Sequence, residues 1–255
     1  MEHDLMNSRK IAVVTGGSSG LGSALIDALK NDYFVVNISR SATTNADANI
    51  AADLTVEAGR LNAVNEIKNK FGRIDLLVNN AGIGAYGTFE ELAMEEIRRL
   101  FEIDLFAPIE MTRILMPELQ KTSGTVINIA SMAAKIHVPA MGGYCAVKAA
   151  FAMFSETLRV EAGIKGVRVI TVYPGRVNTG FSSRAIKYRE VPNTPDNSGV
   201  SPHDFAASVI KTLKNPRRKR LFFPWWYRPG AWLVKLLLEE YYNRKNIQYW
   251  KLNDK

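Results

Sequence analysis

A chain of 255 residues that is 47% apolar and 23% charged has the composition of a soluble globular protein, long enough to bury a sizeable core. Its single cysteine, Cys145, excludes an internal disulfide framework, and His3, His137 and His203 are too scattered for metal-ligand spacing, so no metal is expected. The formal net charge of +8 is gathered at one end: residues 211–255 hold 12 Lys and Arg against 3 Asp and Glu, leaving the rest nearly balanced.

The first ten residues carry acids and no apolar h-region, and no stretch approaches the ~20 apolar residues of a spanning helix, so a cytoplasmic protein is expected. Lys10-Ile11-Ala12-Val13-Val14-Thr15 is a short apolar run of the kind found in buried parallel strands. The turn after it, Thr15-Gly16-Gly17-Ser18-Ser19-Gly20-Leu21-Gly22, has glycines at 16, 20 and 22. They permit a tight turn and the close approach of a pyrophosphate to the N-terminus of the next helix. That helix carries Leu21, Ala24, Leu25, Ala28 and Leu29 at 3.6 periodicity.

Further strands are predicted at Phe34–Ile38, Asn49–Ala52, Ile74–Val78, Thr125–Ala130, Val167–Val172 and Arg220–Phe223, and helices at 57–70, 90–119, 144–162 and 203–214. Strands alternating with helices imply βαβ units, hence an α/β fold with a parallel sheet flanked on both faces. One domain over residues 1–255 is expected. Residues 178–200, rich in Ser, Pro, Asn and Gly, are read as a substrate loop, and 224–255 as an aromatic and basic C-terminal extension.

Tyr144 and Lys148 stand at i, i+4 and so share a helix face. A free phenol titrates near a pKa of about 10, and a fixed ammonium beside it favours the phenolate. Ser131, thirteen residues earlier, supplies a hydroxyl that could hold a carbonyl oxygen while the phenol passes it a proton. Taken alone, the pair fits a surface tyrosine beside a solvated lysine equally well. Cys145 points about 100° around the same helix and is read as packing.

Five motifs together carry a family resemblance: Thr15-Gly16-x-x-x-Gly20-x-Gly22, Asn79-Asn80-Ala81-Gly82, Ser131, Tyr144-x-x-x-Lys148, and Pro174-Gly175-x-Val177-x-Thr179. In order and spacing they resemble the short-chain dehydrogenase/reductase family, from about Lys10 to Phe223. The resemblance implies a seven-stranded, doubly wound Rossmann-type fold and reversible hydride transfer between a nicotinamide dinucleotide and a carbonyl or alcohol carbon. It implies Tyr144 as general acid and base, Lys148 as the residue that lowers its pKa and bonds the nicotinamide ribose, and Ser131 as the group that orients the substrate oxygen. Gly16, Ser18, Ser19, Gly20, Leu21 and Gly22 would then cradle the pyrophosphate. Asn80, Ala81 and Gly82 would line the cofactor cleft, Asp53 and Leu54 would meet the adenine, and Pro174, Gly175, Val177 and Thr179 would hold the carboxamide. Asn79 and Pro174 also suit a purely turn-shaping role. One position departs from the pattern: Asp104 stands where many members carry an asparagine that helps position a proton-relaying water. An ionised aspartate keeps that shape, loses two N–H donors and could stabilise Lys148, so a tolerated variant is expected.

No acid lies between Asp32 and Asp47, and Arg40 stands at the end of the second strand, with Ser19 and Ser39 nearby. An arginine there accommodates a 2′-phosphate, so NADP(H) is expected in preference to NAD(H), the alternative being an arginine that merely caps a strand. Trp225, Trp226 and Trp232 fall in one short stretch, expected to form a hydrophobic lid or a subunit contact, with peripheral membrane contact as the alternative. Pro216–Arg220 is read as a solvated turn, with no nucleic-acid partner expected. The leading reading is an NADPH-dependent reductase of a small-molecule carbonyl, a hydrophobic ketone or aldehyde of ketoacyl, lipid or steroid-like kind. A non-catalytic NADP-binding sensor or scaffold stays open beside it. The resemblance implies a homodimer or homotetramer built through helices 90–119 and 144–162.

Overall fold

All seven apolar runs become strands of one parallel sheet in a computed structural model that describes residues 9–189 and 199–251. In chain order the elements are β1 (Lys10–Thr15), α1 (Gly20–Leu29), β2 (Tyr33–Ser39), β3 (Ala48–Ala51), α2 (Glu57–Phe71), β4 (Leu76–Asn79) and β5 (Ala85–Tyr86). There follow α3 (Met94–Phe101), a π-helical turn (Glu102–Phe106), α4 (Ala107–Gln120), β6 (Thr125–Ile129), α5 (Gly142–Ile164) and β7 (Arg168–Pro174). The chain closes with β8 (Ile186–Lys187), α6 (Pro202–Leu213), β9 (Arg220–Phe223), α7 (Tyr227–Leu237) and α8 (Glu239–Tyr249).

The sheet order is β3-β2-β1-β4-β6-β7-β9. Successive strands therefore move one way from β1 to β3 and the other way from β4 outward, the doubly wound pattern of a Rossmann-type fold, whose crevice opens where the direction reverses. Alternate strand residues enter opposite core layers, as the period of two requires. Val13, Val36, Leu77, Val126 and Val169 face Val64 and Ile67 of α2, Met111 and Leu115 of α4, and Leu158 of α5. Val14, Val35, Val78, Ile127 and Ile170 face Leu25 and Leu29 of α1 and Phe205 and Val209 of α6. Both strand faces are buried, which is why the strands read as continuous apolar runs.

The expected helix over 90–119 is interrupted. Proline at 108 has no N–H for the carbonyl of residue 104, and the Ala107 N–H instead reaches back five residues to the Glu102 carbonyl. In this widened turn Asp104 is completely buried. Two short features carried too little periodicity to be read from sequence. These are the two-residue strands β5 and β8, which pair with each other, and α8, whose composition is polar almost all round. The C-terminal extension folds into α7, which begins at Tyr227, and α8.

Beneath the carboxyl ends of the strands a buried polar chain links three strands to α5. Asn79 Nδ2 donates to Thr112 Oγ1 (2.9 Å) and to Asn128 Oδ1 (2.8 Å), Asn128 Nδ2 donates to Ser155 Oγ (3.0 Å), and Ser155 Oγ lies 2.7 Å from Thr171 Oγ1. The chain sets the height and rotation of α5 over β6 and β7. Asn128→Leu strands both Asn79 and Ser155, and should cost about 2–4 kcal/mol. Urea unfolding measures this, and an unchanged midpoint would show that the chain does not fix α5.

Candidate active site

The carboxyl ends of β1, β2, β4, β6 and β7 open on one cleft of about 690 Å3. Its floor is the glycine turn. Gly16 and Gly20 adopt left-handed backbone (φ +67° and +59°), which side-chain-bearing residues rarely do. A Cβ on Gly16 would stand 2.8 Å from Ala81 Cα, and one on Gly22 would stand 2.3 Å from the Gly16 carbonyl oxygen. Gly22 therefore packs beneath the turn, whereas Gly16, Ser18, Ser19, Gly20 and Leu21 line the cleft. Ser19 precedes α1 in extended backbone with no side-chain cap, so the first N–H groups of that helix face the cleft.

Thr15 locks this turn to the next strand. Its Oγ1 accepts from the N–H groups of Asn80 and Ala81 (3.0 Å each), while Asn80 Nδ2 donates to the carbonyls of Thr15 (3.0 Å) and Gly16 (3.1 Å). Asn37 does the same from β2, accepting from the Gly17 N–H (2.9 Å) and donating to Ser39 Oγ (3.0 Å) and Asn49 Oδ1 (2.8 Å). Thr15 opens the glycine motif, whereas Asn37 lies outside the motif set, and the only signal for it was a polar side chain interrupting the apolar run of β2.

At the far end of the cleft Arg40 is exposed beside Asp53. Hydrogen bonds from Thr55, with smaller help from Arg40 and Arg99, hold the Asp53 carboxyl below its usual range. Ser39 lines the wall, but its hydroxyl already donates to the Ser41 carbonyl. Leu54 completes this end. Pro174, Gly175, Val177 and Thr179 form the opposite wall, and Arg184, whose Nη2 donates to the Thr179 carbonyl (3.0 Å), comes close over Gly20. The lining thus carries Arg40, Arg99, Arg176, Arg184 and Lys148 against the single acid Asp53, a positive field suited to phosphates.

Midway along the cleft, α5 presents Tyr144 and Lys148, and the end of β6 presents Ser131. Ser131 Oγ accepts from the Ala133 N–H (3.1 Å) at the start of a short 3-10 turn. Lys148 Nζ donates to the Ile129 carbonyl (3.2 Å) and sits 2.9 Å from Asp104 Oδ1, with both side chains buried. The other carboxylate oxygen of Asp104 accepts from the Ile83 N–H (3.0 Å). A Cβ on Gly82 would lie 2.4 Å from Asp104 Oδ1, so the glycine of Asn79-Asn80-Ala81-Gly82 leaves room for the carboxylate. Asp104 stands behind the wall of the cleft, with Lys148 between it and the space a ligand would occupy.

Burial pushes the Asp104 carboxyl up, opposed by the Lys148 charge and the Ile83 N–H. Burial, then the negative charge of Asp104, holds the Tyr144 phenol well above its ordinary value, with the Ser131 hydroxyl pulling the other way. Phe181 packs at 5.8 Å between ring centroids over Tyr144.

The remaining wall is apolar. Ile136, Val138, Met141 and Tyr86 line it from the body of the chain, and Tyr227, Tyr249 and Trp250 line it from the C-terminal helices. Trp250 is buried against Tyr86, with ring centroids 5.7 Å apart. Arg189 bonds both the Trp250 carbonyl (3.4 Å) and Glu91 (2.8 and 2.9 Å). The lid expected from Trp225, Trp226 and Trp232 is formed by the fourth tryptophan instead, and those three point to solvent. Cys145 is half-buried, and burial raises its thiol pKa, in keeping with a packing role.

A model of the short chain dehydrogenase family matches residues 10–189, the span that contains the glycine turn, Asp104, Ser131, Tyr144 and Lys148. The chain belongs to the short-chain dehydrogenase/reductase family. It is 35% identical to the ketoacyl reductase HetN of Nostoc sp., over 81% of this chain and 76% of that protein. It is 31% identical to the 3-ketodihydrosphingosine reductase of Bacteroides thetaiotaomicron, over 80% and 75% of the two chains. Among solved structures, a short chain dehydrogenase from Burkholderia cenocepacia in complex with NADP superposes with a TM-score of 0.77 at 25% identity, covering 92% of this chain and 97% of that one. As a short-chain dehydrogenase/reductase, the protein is an oxidoreductase of CH–OH and carbonyl groups with a nicotinamide cofactor. The uncapped N-terminus of α1, the two left-handed glycines and the arginine-rich lining fit such a dinucleotide.

Proposed function

We propose that the protein reduces a hydrophobic ketone or aldehyde at the expense of NADPH, with Tyr144 as proton donor. The carrying observation is the convergence of the Tyr144 phenol, Ser131 and Lys148 midway along one cleft, between an arginine-lined end and an apolar end. A bound dihydronicotinamide supplies the hydride. Ser131 orients the substrate oxygen by donating its hydroxyl hydrogen, and Tyr144 delivers a proton to that oxygen as negative charge develops on it. A phenol held above its usual pKa stays protonated at neutral pH, the form a proton donor needs. Lys148, anchored by Asp104 and the Ile129 carbonyl, lies 5.8 Å from the Tyr144 ring centroid and stabilises the phenolate left behind.

Arg40 supports NADPH over NADH, because no carboxylate at the end of β2 is available to accept from a 2′-hydroxyl. Gly16 to Leu21 and Asn80 to Gly82 would hold the pyrophosphate and ribose, Asp53 and Leu54 the adenine, and Pro174 to Thr179 the carboxamide. The apolar wall of Val138, Met141, Tyr249 and Trp250 supports a substrate of ketoacyl, lipid or steroid-like kind, as do the names of the two reductases above. Residues 178–189 belong to the proposed substrate loop, since Phe181, Ser182 and Arg184 line the cleft. Positions 190–198 of that loop lie outside the described residues. Phe106 in the π-helical turn, with Met153, Val160 and Ile164 on α5, is exposed, which supports self-association through that face.

Two measurements test the reading. NADPH oxidation over a panel of ketones and aldehydes should favour apolar substrates, and Tyr144→Phe should lower the best kcat/KM by at least about a hundredfold. Preference for short polar ketones or sugars, or a Tyr144→Phe variant of full activity, would contradict it. In fluorescence titrations Arg40→Asp should weaken NADPH binding by about tenfold or more while sparing NADH. Equal binding of both cofactors by the parent protein would remove the 2′-phosphate assignment.

A further inference from the structure

Among the described residues nothing covers the outer face of α7. The inner side of this helix is accounted for: Tyr227 and Ala231 pack against the cluster of Phe151, Tyr173 and Met132, and Tyr227 fills the space where a Gly175 side chain would stand. An amphipathic helix turns polar residues outward from such a contact. Here the opposite side carries Trp232 (64% exposed) and Leu237 (72%), with Trp225 (73%) and Trp226 (56%) just before the first turn. At 100° per residue Trp232, Leu233 and Leu237 fall within one sector of the helix and form a stripe, with Trp225 and Trp226 in the turn before it. Tryptophan at the edge of an apolar stripe is the side chain best suited to a water–hydrocarbon boundary.

The charge around the stripe selects what meets it. Arg228 on α7, Arg244 and Lys245 on α8, and Lys251 just after it are exposed, against exposed Glu239 and Glu240, the latter paired with Arg244. They belong to the tail that holds 12 of the 33 Lys and Arg and only 3 of the 25 Asp and Glu. A second copy docked here about a twofold axis would bring two such basic surfaces together, against their mutual repulsion. An anionic surface would be attracted. Among the described residues no helix is long and apolar enough to cross a membrane, so the contact lies at the surface.

We propose that α7 seats on an anionic lipid bilayer, with Trp225, Trp226, Trp232 and Leu237 at the acyl boundary and the flanking arginines and lysines on the headgroups. The same helical pair supplies Tyr227, Tyr249 and Trp250 to the apolar wall of the cleft, so the docked face adjoins the substrate end. That adjacency bears on a membrane-dissolved substrate only if the carbonyl-reductase reading holds. The docking does not depend on it and is read without turnover.

The test is co-sedimentation of the full chain with phosphatidylcholine vesicles, with and without phosphatidylglycerol. The protein should bind the anionic vesicles at least about tenfold more tightly, lose that binding at high salt, and shift its tryptophan emission to shorter wavelength. Trp225→Glu/Trp232→Glu/Leu237→Glu should abolish sedimentation while NADPH binding stays intact, because all three side chains are exposed. Arg228→Glu/Lys245→Glu should weaken binding by about tenfold or more. No sedimentation with anionic vesicles at low salt, or equal binding by the triple variant, would overturn the proposal. So would a parent dimer that the triple variant converts to monomer, since the face would then belong to a second copy.

Discussion

The contact between Lys148 and Asp104 holds the site together. Two opposite charges 2.9 Å apart are buried where the π-helical turn, the Asn80–Ile83 segment, the end of β6 and α5 meet. Charges taken from water are costly unless each finds its partner, and breaking such a pair from one side typically costs about 3–5 kcal/mol. Four segments are therefore obliged to keep their positions. Gly82 exists without a side chain because the carboxylate occupies its space, and the widened turn above Pro108 is what brings that carboxylate inward. Tyr144, one turn before Lys148 on α5, inherits both its place and its electrostatics from this arrangement.

From that fixed centre the cleft runs to two unlike ends. Toward β2 it is polar and positive, with the uncapped start of α1, Arg40 and Arg184 around a turn locked by Thr15 and Asn37. Toward the C-terminal helices it is apolar, closed by Trp250 and the Arg189–Glu91 contact. On the proposed reading this gradient would sort a polyanionic cofactor from an apolar carbonyl compound, bringing them together where Tyr144 and Ser131 stand.

Much of this was legible in the residues. The seven runs are the seven strands, and the five central ones declare themselves because they are buried on both faces, whereas the edge strands β3 and β9 are partly exposed. The glycine turn and Tyr144-x-x-x-Lys148 were readable because backbone geometry and helix periodicity tie spacing to place. The break at the π-helical turn was not read, since Pro108 near the start of a helix and Pro108 interrupting one look alike without the burial of Asp104. Nor did the tail reveal which tryptophan closes the cleft. Trp225, Trp226, Trp232 and Trp250 have the same chemistry, and only the packing of Trp250 against Tyr86 separates it from the three that face outward. Asn37, and the anchoring that Thr15 performs within its motif, were not legible because both act on backbone groups of other segments, which no local pattern encodes.

On the proposed mechanism Asp104, second to burial, raises the proton affinity of the Tyr144 phenol through space and holds Lys148 directly. Oxidation of the product alcohol needs Tyr144 as phenolate, so its kcat/KM rises with pH through the pKa of that group. Asp104→Asn removes a negative charge that raises this pKa, and the rising limb should move to lower pH while the best rate stays within about tenfold of the parent. A rising limb that stays in place or moves to higher pH would contradict the account.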